Sequence, residues 1–368
     1  MPYIFQKYAK KEKVDLTLVE IDPDMVEILQ IIYDKTSIPK NFNLKFICQD
    51  FLKLKHEKVD LIIGNPPFNK AKNKEQKIIL KDFKTPANNN LASFFLEKSL
   101  NQARYVSLIM PKNFLSAPIY DKIREQIKIQ SILDIIDFGN KGFEGVSLET
   151  INFMVDNKKK TSEINIYDFV HKRNLIQKCN YICDDKLPYW VIYRDSFFDK
   201  IYKQMRFDIF EVFRDRQITN AYLTKINEKE IENKEYIRVL RSRNISEDGK
   251  KIQNIKNYDT YMHNKYIDRF DIIKKIKQKK DVYMVPNMSY KPRIIKRDLE
   301  QIANGSIAFL IPKSQKIKLK KEDMEYIAHQ DFRNFYQIAR NKQKLTLNID
   351  KNSVFWFGKK KEKLESNA

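Results

Sequence analysis

The chain has 368 residues, of which 42% are hydrophobic and 32% are charged, and its formal net charge is +22. This length exceeds that of one ordinary domain and predicts two. No apolar run is long enough for a transmembrane helix, and the N-terminus has no signal-peptide pattern, so we expect a cytoplasmic protein. The cysteines at 48, 179 and 183 and the four histidines form no metal-ligand pattern, and no metal site is predicted.

Strand and helix patterns alternate along the first half of the chain. A helix is predicted over 23–35, with Asp22 as its N-cap and Pro23 in its first turn. The other predicted helices cover 3–11, 91–102 and 119–128, and the predicted strands cover 15–22, 44–51, 59–65, 105–111, 131–139, 150–157 and 164–170. This alternation predicts an α/β fold with a parallel or mostly parallel sheet and helices on both faces.

The alternation stops near Trp190, where short segments rich in aromatic and basic residues begin. We therefore predict a first domain over 1–190 and a mixed α+β domain over 191–368. The positive charge is also uneven. Residues 1–157 contain 23 basic and 20 acidic residues, a net of +3, whereas the rest contains 47 basic and 28 acidic residues, a net of +19. The second part is thus expected to bind a polyanion.

Polar and aromatic residues follow three of the predicted strands. Glu20 closes the first, and Asp50 and Phe51 close the second. The carboxyl ends of strands in open α/β sheets are where ligands bind. A carboxylate at Glu20 can accept the two hydroxyls of a ribose, and one at Asp50 can accept an adenine amine. The alternatives are that the carboxylates cap local structure and that Phe51 belongs to the core.

The third of these strands runs into Asn65, Pro66, Pro67 and Phe68. Both prolines lack an N–H donor and fix φ, so the strand must end there. The result is a stiff loop that presents an amide and an aromatic ring. The alternative is an ordinary turn.

The sequence GNPPF resembles the catalytic motif of DNA adenine methyltransferases of the gamma, TaqI-like group, which includes enzymes of restriction–modification systems. The similarity continues through VEIDPDMV, DFLKL, LASFFLEKSL, IMPKNFLS and DFGNKGFEGVSLETI, within residues 2–157. It implies a Rossmann-like, S-adenosylmethionine-dependent methyltransferase sheet, followed by a target-recognition domain. Double-stranded DNA is the implied substrate, and a cognate restriction endonuclease is an implied partner.

The resemblance also implies roles for individual residues. The side-chain oxygen of Asn65 and the carbonyl of Pro66 would accept the amine hydrogens of a flipped adenine, within the motif completed by Pro67. Phe68 would stack on that base, and Phe143 would flank it. The implied contacts of S-adenosylmethionine are Glu20, Asp22, Asp50 and Phe51. For Phe143, ordinary packing is the alternative.

One part of the family pattern is not found. Family members carry a Gly-x-Gly turn before the acidic strand, whereas this sequence starts MPYIF and has no glycine before Gly64. We therefore expect the first strand and its glycine-rich turn to be missing, which makes the sheet N-terminally truncated and exposes strand edges. A misassigned start, a split gene, or a fragment that relies on a separate N-terminal polypeptide would each explain this.

Four basic residues of the second domain are candidates for DNA contact: Arg241, Arg243, Lys291 and Arg293. A solvated basic surface is the alternative for each. Three other functions remain open for the chain. They are a catalytically inactive or split DNA-binding fragment, a protein-glutamine methyltransferase that uses the same Asn-Pro-Pro motif, and, with little room for it, a fused endonuclease.

Overall fold

The computed structural model describes residues 13–55, 58–71, 80–86, 90–128, 131–145, 147–214, 217–226, 235–277, 279–345 and 347–362. The helix predicted over 3–11 lies outside the described residues. The chain divides into two compact units, of which the first comprises Met1–Leu108 and Asp156–Lys158. The second comprises Ile109–Val155 and Lys159–Ala368.

The first unit contains two pairs of parallel strands and two helices of 12 residues each. Its elements are β1 (Val14–Glu20), α1 (Pro23–Asp34), β2 (Phe42–Cys48), β3 (Val59–Gly64), α2 (Leu91–Gln102) and β4 (Ala103–Pro111), the last three residues of which belong to the second unit. Strand β1 pairs with β2, and β3 pairs with β4. These elements agree with the sequence prediction, and α2 has the predicted bounds.

Helix α1 begins at Pro23, as its local sequence predicts. The side chain of Asp22 accepts hydrogen bonds from the backbone N–H groups of Asp24 and Met25, and Pro23 occupies the first turn. This arrangement satisfies two of the free N–H groups at the helix start. Proline at this position removes no intrahelical hydrogen bond, because the first N–H groups of a helix have no intrahelical partner. The predicted N-cap is therefore confirmed.

Strand β3 carries an apolar face that remains exposed. Val59, Leu61 and Ile63 are 41%, 48% and 54% exposed, and alternate residues of a strand point to the same side. Strands β1 and β2 form a separate two-stranded sheet instead of joining β3. Among the described residues of this unit, β1 and β3 each have one hydrogen-bonded neighbour strand, so both present an edge.

The second unit contains most of the remaining strands and helices. They are α3 (Asp121–Lys128), β5 (Ser131–Gly139), β6 (Thr150–Asp156), β7 (Glu163–Asp168), β8 (Arg173–Lys178), α4 (Cys179–Ile182), α5 (Ser196–Gln204), β9 (Met205–Arg206), β10 (Phe210–Phe213), β11 (Tyr236–Leu240), β12 (Thr260–His263), α6 (Asp271–Lys277), β13 (Tyr283–Pro286), β14 (Ile295–Lys296), β15 (Ile302–Ala303), β16 (Ile307–Pro312), α7 (Lys321–Ala328), α8 (Gln330–Ala339) and β17 (Lys359–Lys360).

Within this unit the strand order β6-β5-β7-β8 combines a parallel pair, β5 with β7, and an antiparallel pair, β7 with β8. The later strands are mainly antiparallel, in the orders β10-β16-β13-β14 and β12-β11-β15. Antiparallel pairing is thus already present between β7 and β8, before the change in sequence pattern near Trp190.

The largest core of the second unit joins residues from both sides of the predicted domain boundary. It includes Tyr189 and Val191 as well as Phe335 and Trp356, all at most 4% exposed. The indole N–H of Trp356 donates to the Tyr189 hydroxyl at 2.6 Å. The two compact units separate between Leu108 and Ile109, and the predicted domain boundary near residue 190 stays a prediction.

The described helices are short. The longest, α1 and α2, have 12 residues each. In the part of the chain that the structure describes, none is long and apolar enough to cross a membrane.

Candidate functional site

The ends of β1 and β2 lie side by side. The two strands are parallel, with Glu20 opposite Cys48, and the backbone carbonyl of Glu20 accepts from the N–H of Gln49 at 2.8 Å. Because both strands end at the same level, Glu20 at the end of β1 and Asp50 just after β2 lie at the same edge of this strand pair. This is the edge at which an open α/β sheet binds ligands.

The carboxylate of Glu20 is fixed by its own chain and is still able to accept further hydrogen bonds. Its Oε1 accepts from the N–H of Ile21 at 2.7 Å and from that of Asp22 at 3.1 Å. Its Oε2 has no hydrogen bond from a described residue, and the side chain is half-buried. A fixed carboxylate with a free oxygen fits the hydroxyls of a ribose. Asp22 is exposed, and its Oδ1 is used in capping α1.

Asp50 and Phe51 are held by a turn that α2 supports. The Asp50 Oδ1 accepts from the N–H of Leu52 at 2.9 Å. The ammonium of Lys98 donates to the carbonyls of Leu52 and Leu54 at 3.0 and 2.6 Å. Burial lowers the pKa of Lys98, and the Asp50 carboxylate opposes that shift. Residues on α2 thus fix the backbone that carries Asp50.

The ring of Phe51 packs against the core of the first unit. It stacks on Phe95 with centroids 5.1 Å apart and an interplanar angle of 25°, and the Lys98 Nζ lies 5.1 Å from its centroid. The side chain remains half-buried. Phe51 therefore takes part in the core, which was one of the two predicted alternatives, and its contact with an adenine stays a prediction.

The loop after β3 has the predicted form. The strand ends at Gly64, and Asn65 is exposed, Pro66 is buried and Phe68 is half-buried. Pro67 is exposed. The amide of Asn65 forms no hydrogen bond with another described residue, so its donors and its acceptor remain available.

This loop is also tied at its far end. The carbonyl of Asn69 accepts from the N–H of Leu91 at 2.8 Å, and Lys70 pairs with Asn90 in an isolated β-bridge. The side chain of Asn90 in turn caps α2 through the N–H of Ser93 at 3.4 Å. The loop is therefore held at the end of β3 and at the start of α2, with two prolines between.

Phe143 belongs to the second unit, in the connection between β5 and β6. The side chain is half-buried. Two glycines with positive φ, Gly139 at +54° and Gly145 at +73°, lie on either side of it, and these are conformations that other residues adopt only with strain. The glycines allow the sharp turns of this connection. The role of Phe143 beside a flipped base stays a prediction.

Two of the predicted DNA-contact arginines share one tyrosine. The guanidinium carbons of Arg241 and Arg243 lie 4.5 and 4.9 Å from the ring centroid of Tyr258. Arg243 is exposed, and its guanidinium has no hydrogen bond to a described residue. Tyr258 was not predicted as a site residue, because a lone tyrosine in a lysine- and asparagine-rich loop has no distinguishing local signal.

Lys291 and Arg293 have different environments. Lys291 is exposed and forms an ion pair with Glu247 at 2.8 Å. Arg293 is only 8% exposed, and its guanidinium donates to the carbonyls of Ser242, Ile245 and Lys291 and to the hydroxyl of Ser289. Burial lowers the pKa of Arg293. These contacts occupy the Arg293 guanidinium, and its contact with DNA stays a prediction. The guanidinium supports the loops on which Arg243 and Lys291 lie.

Comparison with solved structures defines the class of fold. The type IIL restriction-modification enzyme MmeI, solved in complex with DNA, is similar to this chain with a TM-score of 0.54 and 14% identity, over 81% of this chain and 50% of that one. The type IIG restriction endonuclease BpuSI has a TM-score of 0.43 at 12% identity, over 95% and 53% of the two chains. The M protein of the type I restriction enzyme EcoKI has a TM-score of 0.32 at 17% identity, over 41% and 34%.

The similarity to MmeI shows that this chain shares the fold of the matched part of that enzyme. The chain spans about half the length of MmeI. The sequence profile of the Eco57I restriction-modification methylase family matches residues 5–143, which include the ends of β1, β2 and β3 and also Phe143. No curated protein matches the chain.

Proposed function

We propose that this chain is a site-specific DNA adenine methyltransferase of the gamma type, which transfers a methyl group from S-adenosylmethionine to the exocyclic amine of a flipped adenine in a restriction–modification system. The observation that carries the proposal is the exposed amide of Asn65 at the end of β3, which bonds to no other described residue, with the ring of Phe68 three residues on. The carboxylates of Glu20 and Asp50 in the same unit fit the cofactor.

The chemistry explains why these groups are needed. The lone pair of an adenine amine is delocalised into the ring, which makes the nitrogen a poor nucleophile. If the Asn65 Oδ1 and the Pro66 carbonyl accept its two hydrogens, the nitrogen moves toward tetrahedral geometry and its lone pair becomes available. Phe68 stacks on the extruded base and holds it in place. One amine proton then leaves to solvent as the N–C bond forms and the S–C bond of the sulfonium breaks.

The residues present fit S-adenosylmethionine, which supplies an electrophilic methyl group on a sulfonium. The free Oε2 of Glu20 suits the ribose hydroxyls, and the Asp50 carboxylate suits the adenine amine. Asp22 lies close to Glu20 along the chain, and Phe51 offers the exposed part of its ring. These contacts involve only the first unit.

Methyl transfer by the purified chain tests the proposal. The chain is incubated with labelled S-adenosylmethionine and unmethylated DNA, and the nucleosides are separated. We expect the label in the exocyclic amine of adenine. DNA binding without transfer would favour a catalytically inactive or split DNA-binding fragment. Transfer to a glutamine-containing peptide, and not to DNA, would favour a protein-glutamine methyltransferase.

Glu20→Gln is expected to weaken the binding of S-adenosylmethionine by about 10- to 100-fold, because a hydrogen bond to a charged group contributes about 1.5–3 kcal/mol. Glutamine keeps the shape of the side chain and removes its charge. Titration calorimetry measures the affinity. The matched control is Glu27→Gln, an exposed glutamate on α1. Equal affinity of the Glu20 variant and the parent chain would remove Glu20 from the cofactor site.

Double-stranded DNA is the proposed partner of the basic surface around Arg243 and Lys291. Arg243→Ala should reduce the slope of log K against log salt concentration by about 1, as expected for the loss of one phosphate contact. Fluorescence anisotropy over a salt series measures this slope. Arg173→Ala, at an exposed arginine on β8, is the control. A slope unchanged by the Arg243 substitution would contradict the assignment.

A protein partner is also part of the proposal. The exposed apolar face of β3 formed by Val59, Leu61 and Ile63 fits a second polypeptide better than water. A separate N-terminal polypeptide or a cognate restriction endonuclease are the two candidates. Co-purification of the chain with each candidate distinguishes them.

A further inference from the structure

The connection between β5 and β6 is anchored at both ends by buried carboxylates. We call residues 139–149, of which 146 is not described, the base-flanking loop, because it carries Phe143. Asp137 precedes it and is 2% exposed, and Glu149 ends it and is 4% exposed. A buried carboxylate is stable only when hydrogen-bond donors or cations surround it, so the partners of these two groups determine how the loop is held.

Lys112 lies between the two anchors. Its ammonium, 3% exposed, is 2.8 Å from the Asp137 Oδ2 and 3.9 Å from the Glu149 Oε1. The Asp137 carboxylate also accepts from the hydroxyl of Tyr193 at 2.5 Å and from the N–H of Gly139 at 2.9 Å. Burial and the charge of Asp137 raise the pKa of Tyr193, so its hydroxyl stays protonated as the donor.

Glu149 receives a segment from near the C-terminus. The N–H of Lys344 donates to both carboxylate oxygens at 3.0 and 2.9 Å, and the N–H of Leu345 donates to Oε2 at 2.9 Å. We call residues 341–349, of which 346 is not described, the linking segment. Its start is held too, since Asn341 accepts from the N–H of Ile192 and donates to the carbonyl of Trp190.

The linking segment also reaches the loop that carries a proposed DNA contact. We call residues 287–293 the contact loop, which includes Lys291. The hydroxyl of Tyr290 donates to the carbonyl of Lys344. The amide of Asn287 donates to Asn348 at 2.9 Å and accepts from the N–H of Ile349 at 3.1 Å. Hydrogen bonds therefore run without a break from the contact loop, through the linking segment, to Glu149.

We propose that Glu149 is a positioning residue that links the contact loop to the base-flanking loop, so that DNA held at Lys291 fixes where Phe143 lies. The proposal rests on the proposed DNA methyltransferase function. Glu149 touches neither base nor cofactor in this role. Glu149 acts through the backbone of the base-flanking loop, which ends at this residue. Tyr290 is the residue of the contact loop that bonds to the linking segment.

Glu149→Gln is expected to lower kcat for DNA methylation by about 10- to 100-fold, since small displacements of positioning groups have effects of this size. The three hydrogen bonds from Lys344 and Leu345 use both oxygens of the Glu149 carboxylate. A glutamine side chain has only one oxygen, so at least one of these bonds is lost. DNA affinity should change little. The control is Glu211→Gln, an exposed glutamate on β10. An unchanged kcat, or an equal loss of kcat and DNA affinity, would overturn the positioning role.

Tyr290→Phe tests the connection between the contact loop and the linking segment. Tyr290 is 53% exposed, so we expect this substitution to leave the fold intact. We expect faster amide hydrogen exchange in residues 139–149 of the free protein, and a reduced kcat. Tyr222→Phe, at a tyrosine whose hydroxyl bonds to no other described residue, is the control. Exchange that is unchanged in residues 139–149 overturns the link.

The exchange measurement separates the two proposals. If the parent chain transfers no methyl group to DNA, the proposed function fails. The effect of Tyr290→Phe on exchange in the base-flanking loop then still decides whether the contact loop and that loop are connected.

Discussion

Asn65→Ala is expected to lower the rate of methyl transfer by at least about 10²–10³-fold, the loss seen when one preorganised hydrogen-bonding group that acts in the transition state is removed. The side-chain oxygen of Asn65 is one of only two acceptors proposed for the amine hydrogens, and alanine offers none. Single-turnover transfer of labelled methyl groups to DNA measures the rate. DNA affinity, measured by anisotropy, should change little, because Asn65 contacts the extruded base and not the phosphates.

The fold should not be affected by this substitution. Asn65 is exposed and its amide bonds to no other described residue, so its removal leaves no buried group unpaired. Asn69→Ala is the matched control, since only the backbone carbonyl of Asn69 is used, in its bond to Leu91. If Asn65→Ala weakened DNA binding as much as transfer, or if Asn69→Ala had the same effect on transfer, the catalytic assignment would be wrong.

Local signals in the sequence were sufficient for the elements of the first unit. Asp22 and Pro23 set the start of α1, and the apolar spacing of 91–102 gave α2 with its observed bounds. The position of Glu20 at the end of β1 also followed from the sequence, whereas the second strand ends at Cys48, two residues before Asp50. Such signals lie within one turn or one strand and need no knowledge of the tertiary fold.

Contacts between distant residues could not be predicted in this way. Glu149 and Lys344 are 195 residues apart, and neither residue's surroundings indicate the other. Arg293 is a second example. It lies in a basic, aromatic segment and was therefore predicted to contact DNA, and the structure shows it buried among backbone carbonyls. Composition shows that a surface is basic, whereas the choice between an exposed and a supporting arginine depends on packing.

The sequence analysis expected a truncated sheet with exposed strand edges, and among the described residues the β1–β2 pair is separate from β3. Strand ladders form only between strands that lie next to each other, and the described residues provide no strand between β1 and β3. The two pairs therefore remain separate, and the apolar side chains of β3 stay exposed. The alternation of strands and helices along the sequence predicted the type of each element but carried no information about this separation.

Lys112→Met is expected to lower the free energy of unfolding by about 3–5 kcal/mol, the effect of removing one partner from a buried ion pair. Methionine matches the length of lysine but leaves the Asp137 carboxylate, and Glu149 beside it, without their cation in a site almost closed to water. Urea unfolding followed by fluorescence measures the change, and the m-value should stay constant. Lys122→Met, at an exposed lysine on α3, is the control.

A second substitution tests the electrostatic cause of this loss. If the unpaired charge of Asp137 is responsible, Lys112→Met combined with Asp137→Asn should recover part of the stability, because a neutral amide is cheaper to bury than a carboxylate. The Tyr193 hydroxyl and the Gly139 N–H now donate to different oxygens of Asp137, so the single asparagine oxygen keeps one of these two bonds and the recovery is only partial. Additive losses in the double variant would mean that Lys112 acts by packing alone. The base-flanking loop would then be held by Glu149 and the linking segment without help from this ion pair.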